Sequence, residues 1–414
     1  MGRPPVVLGL DFGGTKIAVA VCDVQGNRLA SATVSTSSPG AVRTDGGVRT
    51  DGADPAAPVA EPVGLPAAED RLDGQDPAHQ DPARQDPARQ DPARQDPAPQ
   101  DQAQIVFHRA IRSARGLLAT AAPDSELVAV GASTFGIPHE DKVELAPAID
   151  GWESLALGRE LRAAFPGATL RMATDAKAAA AAEVRWGALH DCDPGMYLNL
   201  GTGLSAAIVA GGEVIVGGNG AAGEFGYNLR GVADVGLELS QRTMLEEMVS
   251  GLALARRASG QPGRPPGVTA ADVFSAGDGD PAFSRLVDDF AAELAFHLVN
   301  LAILINPVRI AVGGGLVRSW DRIAPRLESA LRAGPPFPPE LVVGRFPYDA
   351  PLLGAVALAI DAATSSTDAP VALAAADGAE ITEIADTAIT NTAITDVTDD
   401  TGVTNLTVNI NTGA

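Results

Sequence analysis

The sequence predicts an α/β protein with two lobes and a cleft between them. Strand-like and helix-like segments alternate along the chain, and the pattern of strand, glycine-rich turn and strand occurs twice, at 6–22 and again at 196–210. Such a repeated start indicates an internal duplication in which each copy forms one lobe. The chain has 414 residues, of which 45% are hydrophobic and 20% charged, and this is enough for two domains with sizeable cores.

The first half is predicted to begin with an antiparallel meander whose first turn carries Gly13 and Gly14. Apolar runs and helical spacing then predict further elements, and the alanine-rich last helix ends at Gly187. In order, we predict strands at 6–10, 17–22 and 28–34, a helix at 104–120, strands at 127–133 and 170–173, and a helix at 176–186. Glu183 and Arg185 on this last helix are expected to face solvent.

The second half repeats the pattern and adds a long helix. The predicted elements are strands at 196–200, 204–210 and 213–216, a helix at 281–305, a strand at 309–312 and a helix that begins near 316. We expect lobes at 1–193 and 194–349, followed by a helix over 350–363 that returns to the first lobe.

Two segments have a composition unlike the rest. Residues 41–104 include repeats of Gln-Asp-Pro-Ala-Arg, and 364–414 are rich in Thr, Ala, Ile, Asn and Asp. Their polar, proline-rich or aromatic-poor composition cannot form a core, so we expect a disordered insertion and a poorly ordered acidic tail. Only 404–410 alternates polar and apolar residues at strand period, which would allow it to pair with a sheet edge.

Charge and hydropathy exclude several classes of function. The net charge is −22, but the two unusual segments carry −7 and −8 of it, so the remaining 299 residues are only mildly acidic. No basic surface is expected, which excludes nucleic acid as a partner. No apolar stretch is long enough for a membrane span or a signal peptide, so a cytoplasmic protein is expected. The two cysteines and five unclustered histidines do not predict a disulfide framework or a zinc site.

The turn at 11–16 is the strongest candidate phosphate site. Its glycines, Gly13 and Gly14, let backbone N–H groups approach an anion, and Thr15 and Lys16 add a hydroxyl donor and a positive charge. Asp11 can hold Mg²⁺ directly or through water. A plain hairpin turn also needs glycine, but it needs neither the aspartate nor the Thr-Lys pair.

Two further glycine turns lie in the second half. Gly201, Thr202 and Gly203 occupy the turn equivalent to 11–16 and would supply a second set of phosphate-facing amides, although such a turn alone is usually structural. Gly313, Gly314 and Gly315 follow a buried-looking strand, where they either permit close packing or leave a flat surface for adenine and ribose. The sequence has no Walker motif, so these turns would hold any nucleotide.

Three carboxylates are candidates for binding or catalysis. Asp175 lies where a strand meets a helix, which suits an N-cap and also a general base that the helix terminus keeps ionised. Glu224 lies in a glycine-dense loop at 220–227, where it is either a surface charge or an acceptor for sugar hydroxyls. Glu246 reads first as an ordinary helix-surface residue.

In their order along the chain, these motifs resemble those of the ROK family of sugar kinases, the bacterial glucokinase-like group of the actin and hexokinase superfamily. The similarity is carried by 11–16, 136–138 with 151–152, 174–177, 201–203, 220–227, and 306–307 with 313–315. The resemblance implies a two-lobed, actin-like ATPase fold of duplicated ribonuclease H-like lobes, with ATP and Mg²⁺ as cofactors. It also implies that Asp175 is the catalytic base, that Glu224 and Glu246 accept sugar hydroxyls, and that the protein is a homodimer.

The departures from the family pattern fall on the sugar side. Thr174 and Lys177 replace the two asparagines of the catalytic motif, Ala148 replaces an asparagine of the preceding segment, and Tyr227 replaces a histidine of the sugar loop. The family's cysteine-rich zinc motif has no counterpart in 232–244, so no structural zinc is expected.

The predicted function is ATP- and Mg²⁺-dependent phosphorylation of a monosaccharide hydroxyl, with Asp175 as base and with Thr174, Glu224, Tyr227 and Glu246 in the sugar site. Two alternatives remain: polyphosphate as the phosphoryl donor, and a catalytically weak sugar sensor. ROK repressors carry an N-terminal helix-turn-helix, whereas Asp11 lies ten residues from Met1, so DNA binding is not expected.

Overall fold

A computed structural model describes residues 2–36, 42–45, 99–264, 267–276 and 279–364, with the pairs 397–398 and 404–405. It contains two α/β lobes, each built on one main sheet, as predicted. None of the helices in these ranges is both long and apolar enough to cross a membrane.

The first lobe is built on a six-stranded sheet of order β4-β3-β2-β1-β5-β8. Strands β1 to β4 are antiparallel neighbours, whereas β1, β5 and β8 run parallel. In chain order its elements are β1 (Pro5–Phe12), β2 (Lys16–Asp23), β3 (Arg28–Ser35), β4 (Val42–Asp45), α1 (Pro99–Ala121), β5 (Glu126–Thr134), the hairpin β6 (Ile137–Pro138) and β7 (Val143–Glu144), α2 (Leu157–Ala164), β8 (Thr169–Thr174) and α3 (Asp175–Trp186).

The second lobe repeats this arrangement in a five-stranded sheet of order β11-β10-β9-β12-β13. Its meander is antiparallel, and β9, β12 and β13 run parallel, so it matches the first sheet without the edge strand β4. Its elements are β9 (Gly195–Leu200), β10 (Leu204–Ala210), β11 (Glu213–Val214), α4 (Gly251–Ser259), α5 (Ala270–Ala276), α6 (Pro281–Ile305), β12 (Arg309–Gly313), α7 (Trp320–Ala333) and β13 (Glu340–Val343). The predicted duplication is therefore confirmed.

The last helix of the folded body, α8 (Ala350–Thr364), packs between α3 and the first sheet. Glycines make this close packing possible. A Cβ atom at Gly354 would lie 1.7 Å from the Ala178 carbonyl oxygen, and one at Gly131 would lie 1.8 Å from the Ala355 carbonyl oxygen. One face of β1 and β5 is buried against α8, and the other lies in the core cluster that also contains residues of α1 and α2, so both strands are largely apolar, as strands buried on both faces are.

Helix α3 joins the cores of the two lobes. The alanines on one of its faces are buried against side chains of the second sheet, including Tyr197 and Ala207. Their small size lets the helix approach the sheet closely, so its N-terminus is held at the junction between the lobes. Any reactive group in the first turn of α3 therefore faces both lobes.

The expectation that Glu183 faces solvent is wrong, because its side chain is fully buried. Its carboxylate accepts hydrogen bonds from the backbone N–H groups of Ala188 at 2.6 Å, Phe346 at 2.8 Å and Arg345 at 3.1 Å. It thereby ties the end of α3 to the segment that enters α8. Helical spacing could not reveal this, since alanines surround Glu183 and no apolar stripe identifies the buried face.

The expected insertion at 41–104 is shorter than predicted at both ends. Residues 42–45 form β4 and pair with the edge strand β3, which offers unpaired backbone groups. Helix α1 begins at Pro99, because proline lacks an N–H that the first turn of a helix would leave unpaired in any case. The rest of the insertion lies outside the described residues.

Most of the C-terminal tail also lies outside them. Its first residue, Thr364, is the last residue of α8. Within the expected strand at 404–410, β15 (Thr404–Asn405) pairs with β14 (Val397–Thr398) rather than with either main sheet. A short hairpin closes a smaller loop than pairing with a distant sheet edge, and so costs less chain entropy.

Candidate active site

Asp11 lies near the end of β1, beside the parallel strand β5. It is 9% exposed, and Ser133 donates a hydrogen bond to its Oδ1 at 2.8 Å. Burial raises the pKa of Asp11 to about 7, although the Ser133 hydrogen bond opposes this; the Asp175 carboxylate raises it further and Lys16 lowers it. The ionised Asp11 carboxylate is therefore poorly solvated and is only partly compensated by its neighbours.

The predicted phosphate turn at 11–16 is held by hydrogen bonds on one side and is exposed to solvent on the other. The Gly13 N–H donates to the Lys16 carbonyl at 3.0 Å, and Thr36 fixes the turn from behind by donating to the carbonyls of Gly14 and Thr15 at 3.0 and 3.2 Å. Gly14, Thr15 and Lys16 are exposed. The turn is therefore held by its carbonyls, and its exposed side remains for a ligand.

The two glycine turns of the second lobe lie side by side. The Gly201 N–H donates to the Gly203 carbonyl at 3.1 Å, and the start of α4 fixes the turn through a 2.9 Å hydrogen bond from the Gly251 N–H to the Gly201 carbonyl. A Cβ atom at Gly201 would lie 4.0 Å from the Cα of Gly314. Gly314 has φ 95°, and a side chain there would collide with the Leu200 carbonyl, so this contact requires glycine.

Asp175 is the first residue of α3, and the helix N-cap is its neighbour Thr174. The Thr174 hydroxyl accepts from the Lys177 N–H at 3.4 Å, so Thr174 and not Asp175 is the N-cap residue. Oδ1 of Asp175 accepts from the Ala176 N–H at 2.7 Å, and Oδ2 accepts a long 3.4 Å hydrogen bond from Asn199. Burial raises the pKa of Asp175 to about 6. The hydrogen bond from Ala176 lowers this pKa, and the Glu246 carboxylate raises it.

Glu224 and Glu246 approach Asp175 from the second lobe. Glu224 lies in the loop before a short 3₁₀ turn, and its carboxylate is 3.8 Å from the Lys177 ammonium. Burial raises the pKa of Glu224 to about 7, Lys177 lowers it, and Asp175 and Glu246 raise it. Oε2 of Glu246 accepts from the Leu204 N–H at 2.8 Å, and a Cβ atom at Gly203 would lie 2.7 Å from this oxygen. Glu246 thus lies against the second phosphate turn and is not an isolated surface charge.

Tyr227 completes the same group. Its side chain is partly buried, and burial raises the pKa of its hydroxyl, with further increases from Glu246, Glu224 and Glu153. Glu153 is itself held by the Ala146 N–H, which donates to it at 2.9 Å. The segment that contains Ala148 therefore lies near Tyr227, and the Ala148 Cβ lies 3.4 Å from the Cβ position of Gly14.

Sequence reasoning missed two residues of the site, Ser133 and Asn199. Asn199, in β9, donates from Nδ2 to Asp175 and, also at 3.4 Å, to Ser205, while its Oδ1 lies beside Gly201 and Gly314. It connects the carboxylate of one lobe to the glycine turns of the other. The available signal was its position, because a polar residue at the carboxyl end of a buried parallel strand marks a ligand-facing edge.

A model of the ROK family matches residues 89–362. The chain belongs to the ROK family. This confirms the resemblance carried by the motifs. A relative, the beta-glucoside kinase of Listeria innocua, is 30% identical over 191 residues, which are 46% of this chain and 64% of that protein. The matched region thus spans less than two thirds of that kinase.

Solved structures of the ROK family share the two-lobed, actin-like fold. The ROK hexokinase of Thermus thermophilus is 25% identical, with a TM-score of 0.57 over 86% of this chain and 97% of that one. A ROK family transcriptional regulator has a TM-score of 0.62 at 20% identity, over 87% of this chain and 78% of that one. Because enzymes and a regulator share the fold, the site residues must decide the function.

Proposed function

We propose that this ROK protein transfers the γ-phosphoryl group of ATP to a hydroxyl of a monosaccharide. The observation that carries the proposal is the position of Asp175, a partly buried carboxylate at the start of α3 that lies near Asp11 and, through Asn199, near the glycine turns of the second lobe. Oδ1 is bound by a short hydrogen bond, so Oδ2, with its long bond to Asn199, is the oxygen that accepts the proton. The sugar kinases among its relatives support this activity.

The residues around Asp11 fit a Mg²⁺ ion. Mg²⁺ prefers one or two carboxylates together with phosphate oxygens and water, and the Asp11 carboxylate lies at the end of the first phosphate turn with Ser133 bonded to only one of its oxygens. The metal would neutralise charge on the phosphates during transfer. Lys16 and the exposed hydroxyl of Thr15 add a charge and a donor on the same turn. No structural zinc is proposed, since the segment 232–244 contains no cysteine.

The glycine turns favour a nucleotide over polyphosphate as the donor. Gly201 and Gly314 are adjacent, so the phosphate turn continues into a surface without side chains at 313–315, which suits the flat rings of adenosine. Polyphosphate needs the phosphate turns but has no use for this surface. Glu224, Glu246 and Tyr227 provide acceptors for the hydroxyls of the sugar on the other side of Asp175.

A panel of monosaccharides assayed for ADP release tests the proposal. We expect at least one hexose to be phosphorylated in the presence of Mg²⁺ and ATP, and the activity to disappear with EDTA. Polyphosphate in place of ATP identifies the alternative donor. If no sugar on the panel is phosphorylated but calorimetry detects sugar binding, the sensor function replaces the kinase, and the substituted residues Ala148, Thr174, Lys177 and Tyr227 are then its cause.

We also propose that the protein is a homodimer, because the second lobe exposes large apolar side chains. Val232 is 90% exposed in the loop after Arg230, and Leu304 is 81% exposed on α6. An ion pair between Arg230 and Glu293 ties this loop to α6. Large apolar side chains that are almost fully exposed are candidates for an interface between two chains.

Val232→Asp combined with Leu304→Glu is expected to convert the dimer to a monomer, since both charges would be buried in an apolar interface. Light scattering after size exclusion measures the mass. Leu29→Glu, at a 41% exposed residue of β3, is the control and should remain dimeric. A monomeric wild type, or a dimeric double variant, contradicts the proposal.

A further inference from the structure

Lys177 is a buried cation with too few partners. It is one of three lysines in the chain and is only 3% exposed. Its ammonium makes no hydrogen bond within the described chain, and the carboxylate paired with it, Oε1 of Glu224, lies 3.8 Å away, beyond hydrogen-bond distance. Burying an ammonium without hydrogen bonds costs several kcal/mol. Folding alone does not account for this residue.

The groups around the ammonium come from both lobes. Asp175 precedes Lys177 by two residues on α3, and Glu224 faces the ammonium from the loop at 220–227. The Glu246 carboxylate raises the pKa of both Asp175 and Glu224. Tyr227 adds a neutral hydroxyl beside Glu224 and Glu246. The orphaned ammonium therefore points into the group of residues that surrounds the proposed sugar.

The distance between the Lys177 ammonium and the Glu224 carboxylate suits a shared hydroxyl. An oxygen can lie about 2.8 Å from both of two atoms that are 3.8 Å apart, so a hydroxyl that reached them would accept a hydrogen bond from the ammonium and donate one to the carboxylate. A negatively charged group at this point would lie beside the carboxylates of Asp175, Glu224 and Glu246. A positively charged group would lie beside the ammonium. An uncharged hydroxyl, which both accepts and donates a hydrogen bond, satisfies both sides.

We propose that Lys177 is a substrate-binding and specificity-determining residue: its ammonium donates to a hydroxyl of an uncharged sugar, and its charge discriminates against amino sugars. This inference rests on the proposed sugar-binding site. The asparagine that the ROK pattern has at this position is also a donor but carries no charge. Replacement of Lys177 by asparagine should therefore change which sugars are accepted, as well as how tightly they bind.

The test compares matched neutral and amino hexoses in the full chain. D-Glucose with D-glucosamine and D-mannose with D-mannosamine are assayed at neutral pH with wild type, Lys177→Met and Lys177→Asn. We expect Lys177→Met to raise KM for the neutral hexose about tenfold or more, as expected for a lost hydrogen bond to a charged group. In both variants the ratio of kcat/KM for the amino hexose to that for the neutral hexose should rise at least fivefold. A variant with a native melting temperature but unchanged KM and unchanged ratio overturns the proposal.

Two controls separate this inference from folding and from the kinase function. Lys142→Asn removes an exposed lysine that is paired with Glu144, so its KM and sugar ratio should equal those of wild type. Lys177→Arg keeps the charge and serves as a substitute test if Lys177→Met does not fold. In that case the proposal is supported if Lys177→Arg still discriminates against amino hexoses and Lys177→Asn does not. Any other result overturns it. If wild type binds hexoses without phosphorylating them, the proposed kinase function is wrong. The role of Lys177 is then tested by comparing the affinities of the same variants for neutral and amino hexoses by calorimetry.

Discussion

Asp175→Asn is expected to lower kcat by roughly a hundredfold or more, because asparagine keeps the shape of the side chain but cannot accept the hydroxyl proton. Thr174 remains as the N-cap of α3, so the helix should stay intact. Steady-state kinetics with the sugar found in the panel assay, and nucleotide binding by calorimetry, are the measurements. Full activity in Asp175→Asn would show that another group is the base.

The wild-type pH profile makes the same assignment without a mutation. Because burial raises the pKa of Asp175 to about 6, the carboxylate is ionised above this pH and becomes protonated below it. A base must be unprotonated to act, so protonation of Asp175 alone should lower kcat/KM about tenfold per pH unit below pH 6. This contribution should be absent from the residual activity of Asp175→Asn, whereas the fall caused by Asp11 and Glu224, whose pKa values burial raises to about 7, should remain.

Asp11→Ala is the matched control on the metal side. It should weaken binding of the Mg²⁺-nucleotide complex while leaving sugar binding unchanged, because Asp11 lies at the first phosphate turn and not among the sugar-side carboxylates. The two variants are thus expected to fail in different ways. Identical defects in both would contradict the division of the site into a metal side and a sugar side.

The largest expected effect on stability is that of Glu183→Ala. The substitution removes the fully buried carboxylate that accepts from three partly buried backbone N–H groups and leaves these groups without that partner. Each such group costs about 1–3 kcal/mol, so we expect the free energy of unfolding to fall by about 3 kcal/mol or more. Urea unfolding followed by circular dichroism measures this change.

Glu328→Ala is the control for that experiment. Glu328 is an exposed glutamate on α7, and surface substitutions of this kind usually change stability by less than about 0.5 kcal/mol. A loss of stability at Glu183 no greater than at Glu328 would mean that the buried carboxylate does not tie α3 to the entry of α8.

The sequence by itself determined the two-lobed α/β fold and the family. Strand period, glycine turns and the duplicated start are local signals, and short-range backbone sterics and hydrophobic patterning are enough to express them. The glycine turns could be recognised for the same reason, and at Gly314 the structure shows why glycine is needed, since its φ of 95° and the nearby Leu200 carbonyl leave no room for a side chain. The catalytic and binding roles of these residues remain predictions.

Only the tertiary structure decided the partners of the charged residues. Ser133 meets Asp11 across β1 and β5, and Asn199 meets Asp175 across the two lobes, although each pair is far apart in sequence. Burial likewise turned Glu183 from an expected surface residue into a structural acceptor and left the Lys177 ammonium without a hydrogen bond to any described residue. The physical reason is that the free energy of a charge depends on which groups surround it in space, and sequence patterns carry no information about neighbours brought together by packing.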